Sequence, residues 1–110
     1  MYKVCRINLE KREEIYKNLE KFILTLKDTL PVRMVYLFGS FATGDINEAS
    51  DIDLLIVGDF KERFFDRIEK VLALTDLPIE PWVYTVEEFR EMEENHNPFV
   101  LEVLQTGKKL

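Results

Sequence analysis

Residues 32–57 read VRMVYLFGSFATGDINEASDIDLLIV, and this stretch decides the fold. The run Val32 to Phe38 is rich in β-branched and aromatic residues, which suits a buried strand. Gly39 stops it. Residues 40–50 are small and polar, with Gly44, Asp45 and Asn47 marking turns. Asp51 to Val57 then reads as a second buried strand, closed by Gly58 and Asp59. A glycine and a serine therefore end one core strand, and two aspartates stand at the mouth of the next.

Outward from this unit the pattern is helical on both sides. Residues 9–28 carry Ile15, Leu19, Phe22, Ile23 and Leu26 at three- and four-residue spacings, with Asn8 as an N-cap and Pro31 beyond the end. Residues 60–75 repeat that spacing through Phe60, Phe64, Ile68, Val71 and Leu72. Ile79 to Tyr84 reads as a third strand, and Pro81 inside it points to an edge position or an irregularity. Thr85 and Glu88 have capping-box spacing at the start of a helix beginning at Val86. After Asn97-Pro98, residues 99–105 form one more short helix, stopped by Gly107. The order predicts an α/β or α+β domain, a small central sheet covered by helices, and leaves the strand directions open.

Bulk properties narrow the function classes. The chain has 110 residues, which predicts a single domain over 1–110. A net charge of −6, from 21 acidic and 15 basic residues, argues against sequence-independent nucleic-acid binding, which needs a basic surface. The lone Cys5 cannot form an intrachain disulfide. The N-terminus lacks the apolar segment of a signal peptide, and no apolar run approaches the roughly 20 residues that span a bilayer. These features lead us to expect a cytoplasmic protein with no membrane association.

The chemistry lies in the loop. Side chains alternate across a strand, so Asp51 and Asp53 point to one face, about 6–7 Å apart. Two carboxylates at the mouth of a buried strand repel each other and lose hydration, and a divalent cation removes both problems. Mg²⁺ takes one or two protein carboxylates and completes its octahedron with waters and substrate phosphates. A D-x-D pair alone reads equally well as a solvated strand end. Gly39 allows close backbone approach to a ligand, Ser40 adds a hydroxyl donor, and a helical turn over 40–43 would aim N–H groups at phosphates. A lone Gly-Ser reads as an ordinary strand-to-loop turn.

The combination is more specific. G-S, ten residues, then D-x-D, with strands before and after, resembles the signature of the DNA polymerase beta nucleotidyltransferase superfamily. In detail the stretch VYLFGSFATGDINEASDIDLLIV is similar to the minimal nucleotidyltransferases of bacteria and archaea. The likeness continues through IEPWVYTVEEF and PFVLEVLQTGKKL. The resemblance implies a mixed sheet flanked by helices and a site for Mg²⁺ and a nucleoside triphosphate. Gly39 and Ser40 would bind the triphosphate tail; Asp51, Asp53 and Glu80 would be the catalytic, metal-binding carboxylates. Two positions depart from the family pattern. Glu80 stands where relatives commonly have aspartate, and Thr43 stands where they commonly have arginine.

Larger superfamily members carry a second domain for the acceptor. Its absence from this stretch implies an acceptor surface on a second subunit or a partner protein, as a homo- or hetero-oligomer. The minimal family is paired with helical HEPN-domain RNase toxins in toxin–antitoxin modules. The resemblance therefore implies an antitoxin that transfers AMP from ATP to a tyrosine of the HEPN toxin. Two alternatives stay open: a binding antitoxin that neutralises by complex formation without catalysis, and transfer of a nucleotide to a small molecule.

Other residues read more plainly. His96, the sole histidine, reads as a surface or helix-end residue, and Cys5 as a small apolar one. Trp82 and Tyr84 share a face with Glu80 in a regular strand, where they are placed to stack on a base or, the plainer reading, to pack in the core or an interface. Glu87 to Glu94 is a solvated helix face, and Lys108-Lys109 is too short for a nucleic-acid site.

Overall fold

The computed structural model describes residues 9–43 and 51–110. The Asn8 cap, Cys5 and the turn markers Gly44, Asp45 and Asn47 lie outside the described residues. Helix α1 (Leu9–Thr29) leads into strand β1 (Val32–Phe38), and a four-residue turn, α2 (Ser40–Thr43), follows Gly39. Strand β2 (Ile52–Gly58), helix α3 (Phe64–Leu72) and strand β3 (Ile79–Thr85) come next. Helices α4 (Val86–Glu94) and α5 (Pro98–Thr106) and the short strand β4 (Lys108–Lys109) complete the order.

The sheet runs β3-β2-β1-β4. Strand β2 pairs antiparallel with β1 and parallel with β3, while β4 pairs antiparallel with β1, so the sheet is mixed as expected. Its central position explains the composition of β2. Leu54, Leu55, Ile56 and Val57 are all buried because helices cover both faces of that strand. Strand β3 lies at the sheet edge, where the missing N–H of Pro81 costs no ladder hydrogen bond.

Alternation sorts the strands into two faces. On one face Val35 and Leu37 of β1, Ile52, Leu54 and Ile56 of β2, and Ile79 and Val83 of β3 pack under Leu19, Phe22, Ile23 and Leu26 of α1, with Phe41 and Val71. On the other, Leu55 and Val57 meet Phe89 of α4 and Val100 and Val103 of α5, bordered by Tyr36, Phe38 and Trp82. Each fully buried aliphatic or aromatic side chain contributes roughly 1.5–3 kcal/mol relative to an exposed one. This two-sided burial fixes the register, since a one-residue slip would reverse every strand's faces.

Helix α3 is shorter than the spacing over 60–75 suggests. Phe60 keeps the periodic position and is buried, but it lies in the connection after β2, where the Asp59 N–H is held by the Pro31 carbonyl at 2.8 Å. The capping box of α4 forms as expected: Thr85 accepts from the Glu88 N–H at 3.0 Å, and Glu88 accepts from the Thr85 N–H at 2.8 Å. His96 takes a left-handed backbone (φ 56°) just past α4. There its N–H reaches the Glu93 carbonyl and the Asn97 N–H reaches the Met92 carbonyl, a Schellman ending. The histidine is thus a helix-end residue. Asn97 then caps α5 by accepting from the Phe99 N–H at 2.9 Å.

Strand β4 is the element that the sequence pattern does not announce. Two lysines carry no apolar alternation. They pair because α5 ends at Gly107 beside β1, and the Leu110 N–H continues the ladder to the Val35 carbonyl at 2.8 Å. Among the described residues no helix is long and apolar enough to cross a membrane.

Candidate active site

The ends of three strands build the site. In the sheet register Asp53 stands opposite Phe38 of β1 on one side and opposite Glu80 of β3 on the other. Cross-strand partners share a face, so Phe38, Asp53 and Glu80 form one row on the face covered by α4 and α5. Asp51 immediately precedes β2 and is exposed, as is Glu80, whereas Asp53 is half-buried.

Charge ties the three carboxylates together. Burial is the largest cause raising the Asp53 pKa above the ordinary carboxylate value, followed by repulsion from Glu80 and then from Asp51. Asp53 is thus the focus of a local negative field that its own burial sharpens. The donors are hard carboxylate oxygens, the set that suits Mg²⁺, which takes one or two such groups and fills its remaining positions with water and phosphate. Among the described residues, no three His, Cys, Asp or Glu side chains close to metal-holding distance. The donor set fits a two-carboxylate site on Asp51 and Asp53, with Glu80 adjacent in register and one methylene longer than an aspartate.

Gly39 explains why the glycine belongs in this motif. Its φ is +71°, in the left-handed region that glycine occupies without steric cost. A Cβ on Gly39 would also collide with Oδ2 of Asp53 and stand 3.3 Å from its Cγ. The glycine therefore lets the end of β1 lie directly against the Asp53 carboxylate. This contact joins the two halves of the G-S…D-x-D signature in space.

The turn after Gly39 is fixed from below. The Ala42 N–H donates to the Gly39 carbonyl at 3.0 Å. Phe41 is buried, and its ring meets Tyr16 of α1 edge-on with centroids 6.0 Å apart. The Tyr16 hydroxyl donates to the Phe41 carbonyl at 2.7 Å. The periodicity of α1 gives no hint of this role, because the partners are 25 residues apart in sequence. Thr43 closes α2, and its side chain lies outside the described set.

Trp82 and Tyr84 follow Glu80 on the same face, as alternation requires. Trp82 packs on Phe99, which also meets Phe38, at centroid separations of 5.3 and 5.4 Å. Tyr84 packs on Phe64 at 5.8 Å. These aromatics pack the α5 side of the sheet, in line with the reading from sequence. At the opposite end of β3, buried Arg67 donates to Glu88 Oε1 at 2.8 Å and to the Val83 carbonyl at 3.3 Å. That guanidinium locks α3, β3 and α4 together, a role that its place among charged helix residues concealed.

Comparison with known proteins agrees with this fold. Residues 20–110 match the family described as "Polymerase beta, Nucleotidyltransferase". The chain belongs to that family. Two relatives from Methanocaldococcus jannaschii are named "Putative protein adenylyltransferase". MJ1379 is 32% identical over 87 residues, covering 79% of this chain and 84% of the relative. MJ0604 is 47% identical over 45 residues, covering 39% of this chain and 45% of the relative, so that match spans less than half of MJ0604. A crystal structure described as a "putative nucleotidyltransferase" from Sulfolobus solfataricus superposes with a TM-score of 0.61 at 26% identity. It covers 76% of this chain and 78% of that one. Family, fold and nucleotidyltransferase class therefore agree with the reading of the G-S…D-x-D stretch.

Proposed function

We propose that this nucleotidyltransferase is a Mg²⁺-dependent protein adenylyltransferase of the cytoplasm. It moves AMP from ATP to a tyrosine of a HEPN-type RNase toxin and thereby serves as its antitoxin. The observation that carries the reading is the Asp53 carboxylate, pressed against Gly39 and repelled by both Glu80 and Asp51. The names of the Methanocaldococcus relatives support AMP as the transferred group and a protein as acceptor.

In this reading Gly39 and Ser40 bind the triphosphate tail at the end of β1, the serine hydroxyl donating to a phosphate oxygen. Asp51 and Asp53 hold Mg²⁺, which supplies charge neutralisation for the triphosphate and for the leaving pyrophosphate. Glu80, across the row on β3, accepts the proton of the attacking hydroxyl. An in-line displacement needs the acceptor opposite the leaving group. With pyrophosphate held on the β1 side, the hydroxyl arrives from the β3 side, where Glu80 is exposed. Phosphoryl chemistry rests mainly on positioning and charge, so this short list of groups suffices.

The test is transfer of label from α-³²P-ATP with Mg²⁺ to the partner protein, using wild type, Asp51→Ala and Asp53→Ala. Wild type labels the partner, and each substitution lowers the rate by roughly 10²–10³-fold, the scale lost when transition-state charge is left uncompensated. Equal labelling by the Asp53→Ala protein would sink the catalytic reading. The exposed Glu80 and the absence of a closed three-carboxylate cluster among the described residues favour one second reading, a non-catalytic binding antitoxin. In that case no label appears, and both wild type and variants still bind and silence the partner.

A further inference from the structure

We propose that Tyr16 is a positioning residue for the donor triphosphate, acting through the turn that follows Gly39. The inference rests on the reading above that Gly39 and Ser40 hold the triphosphate tail. A turn of four residues is too short to be stable alone, and it cannot satisfy its own carbonyls within the helix. Something outside the turn must hold it. Tyr16 does so twice, with its ring edge-on against Phe41 and with its hydroxyl on the Phe41 carbonyl at 2.7 Å.

The placement is specific. The Phe41 carbonyl belongs to the peptide unit next to the one joining Ser40 and Phe41, so the hydroxyl fixes the orientation of the turn beside its phosphate-facing residues. Phe41 is itself buried against α1 and the sheet. The buried ring seats the Phe41 side chain, and the hydroxyl adds a restraint on the backbone carbonyl that the ring contact does not supply. Tyr16 is anchored in the 21-residue helix α1, whose apolar face is packed against β1 and β2. A long packed element thus braces the short turn through a ring contact and a hydrogen bond from one side chain.

Tyr16→Phe keeps the ring and removes that bond. It should weaken binding to the tail of the donor and leave the nucleoside end untouched. The experiment is an NMR titration of the full chain, wild type and Tyr16→Phe, with MgATP and separately with AMP, which lacks the β- and γ-phosphates. The expected result is an ATP dissociation constant raised about five- to tenfold, the scale of one net hydrogen bond. The AMP constant stays within about twofold. An unchanged ATP constant overturns the proposal, and so does equal weakening for both ligands, because a general loosening of the core does not discriminate between them. Thr25→Ala, which removes a hydrogen bond to the Lys21 carbonyl within the same helix, is the control and leaves both constants unchanged. Failure of the wild type to bind MgATP at all overturns instead the donor assignment on which the inference stands.

Discussion

Replacing Gly39 with alanine tests the contact that joins the two halves of the site. Two costs are expected. A non-glycine residue at φ +71° costs about 1–2 kcal/mol in backbone strain. The new methyl group also collides with Oδ2 of Asp53 and crowds its Cγ at 3.3 Å, and forcing the carboxylate aside costs about a further 1–2 kcal/mol. The metal-free protein should lose ~2–4 kcal/mol in urea denaturation followed by circular dichroism. In an Asp53→Ala background the colliding atoms are gone, and the remaining Cβ lies at an ordinary 3.5 Å. The same substitution should then cost only the backbone strain, about 1–2 kcal/mol. The double-mutant cycle thus reads a coupling of roughly 1–2 kcal/mol between two residues 14 positions apart. A zero coupling, with equal costs in both backgrounds, would refute the argument that Gly39 exists to admit the Asp53 carboxylate. Activity provides a second readout: under the proposed function Asp53 holds Mg²⁺, and moving its carboxylate by about 1 Å should lower transfer by roughly 10²-fold.

Two further outcomes follow from the charges. Because Asp53 has a raised pKa in the folded protein, its contribution to stability is fully present below the ordinary value of 3.8 and is lost as pH rises through the raised one. Asp53→Asn should therefore be more stable than metal-free wild type at neutral pH, and the difference should vanish below about pH 3.8; melting curves across pH in EDTA check this. Glu88 behaves oppositely. Burial raises its pKa, but the Thr85 N–H and the Arg67 guanidinium outweigh that effect and hold it below the ordinary value of 4.5. Its stabilisation is present above pH 4.5 and lost as pH falls through the lowered value. Glu88→Gln should cost about 1 kcal/mol at neutral pH, the half-exposed carboxylate limiting the loss, and less in acid. An equal cost at pH 7 and pH 3 would contradict this.

Much of the molecule was legible in the chain because its cues are local. Strand β1 falls on the residues its apolar composition marks, and the capping box of α4 needs only Thr85 and Glu88 at their spacing. Alternation led us to expect Asp51 and Asp53 on one face, whereas strand β2 begins at Ile52 and leaves Asp51 just before it. The G-S…D-x-D spacing carried the family. Glu80 could be matched to a third carboxylate only through that resemblance, and the register Asp53↔Glu80 places it in the same row.

What the sequence could not decide was every relation between distant segments. The direction of the strands, parallel for β2–β3 and antiparallel for β1–β2, depends on how helices cross the sheet. Strand β4 forms from two lysines because α5 delivers them to the edge of β1. Arg67 looks like one more charge on a helix until Val83 and Glu88 enclose it. Tyr16 has no signal at all, since its partner lies 25 residues away and is a backbone carbonyl that any residue would supply. Local chemistry and periodicity therefore determined which residues could act, through propensities that extend over a few residues. Only tertiary packing decided which of them meet, because hydrogen bonds, repulsions and close contacts between separate elements depend on distances that no sequence spacing encodes.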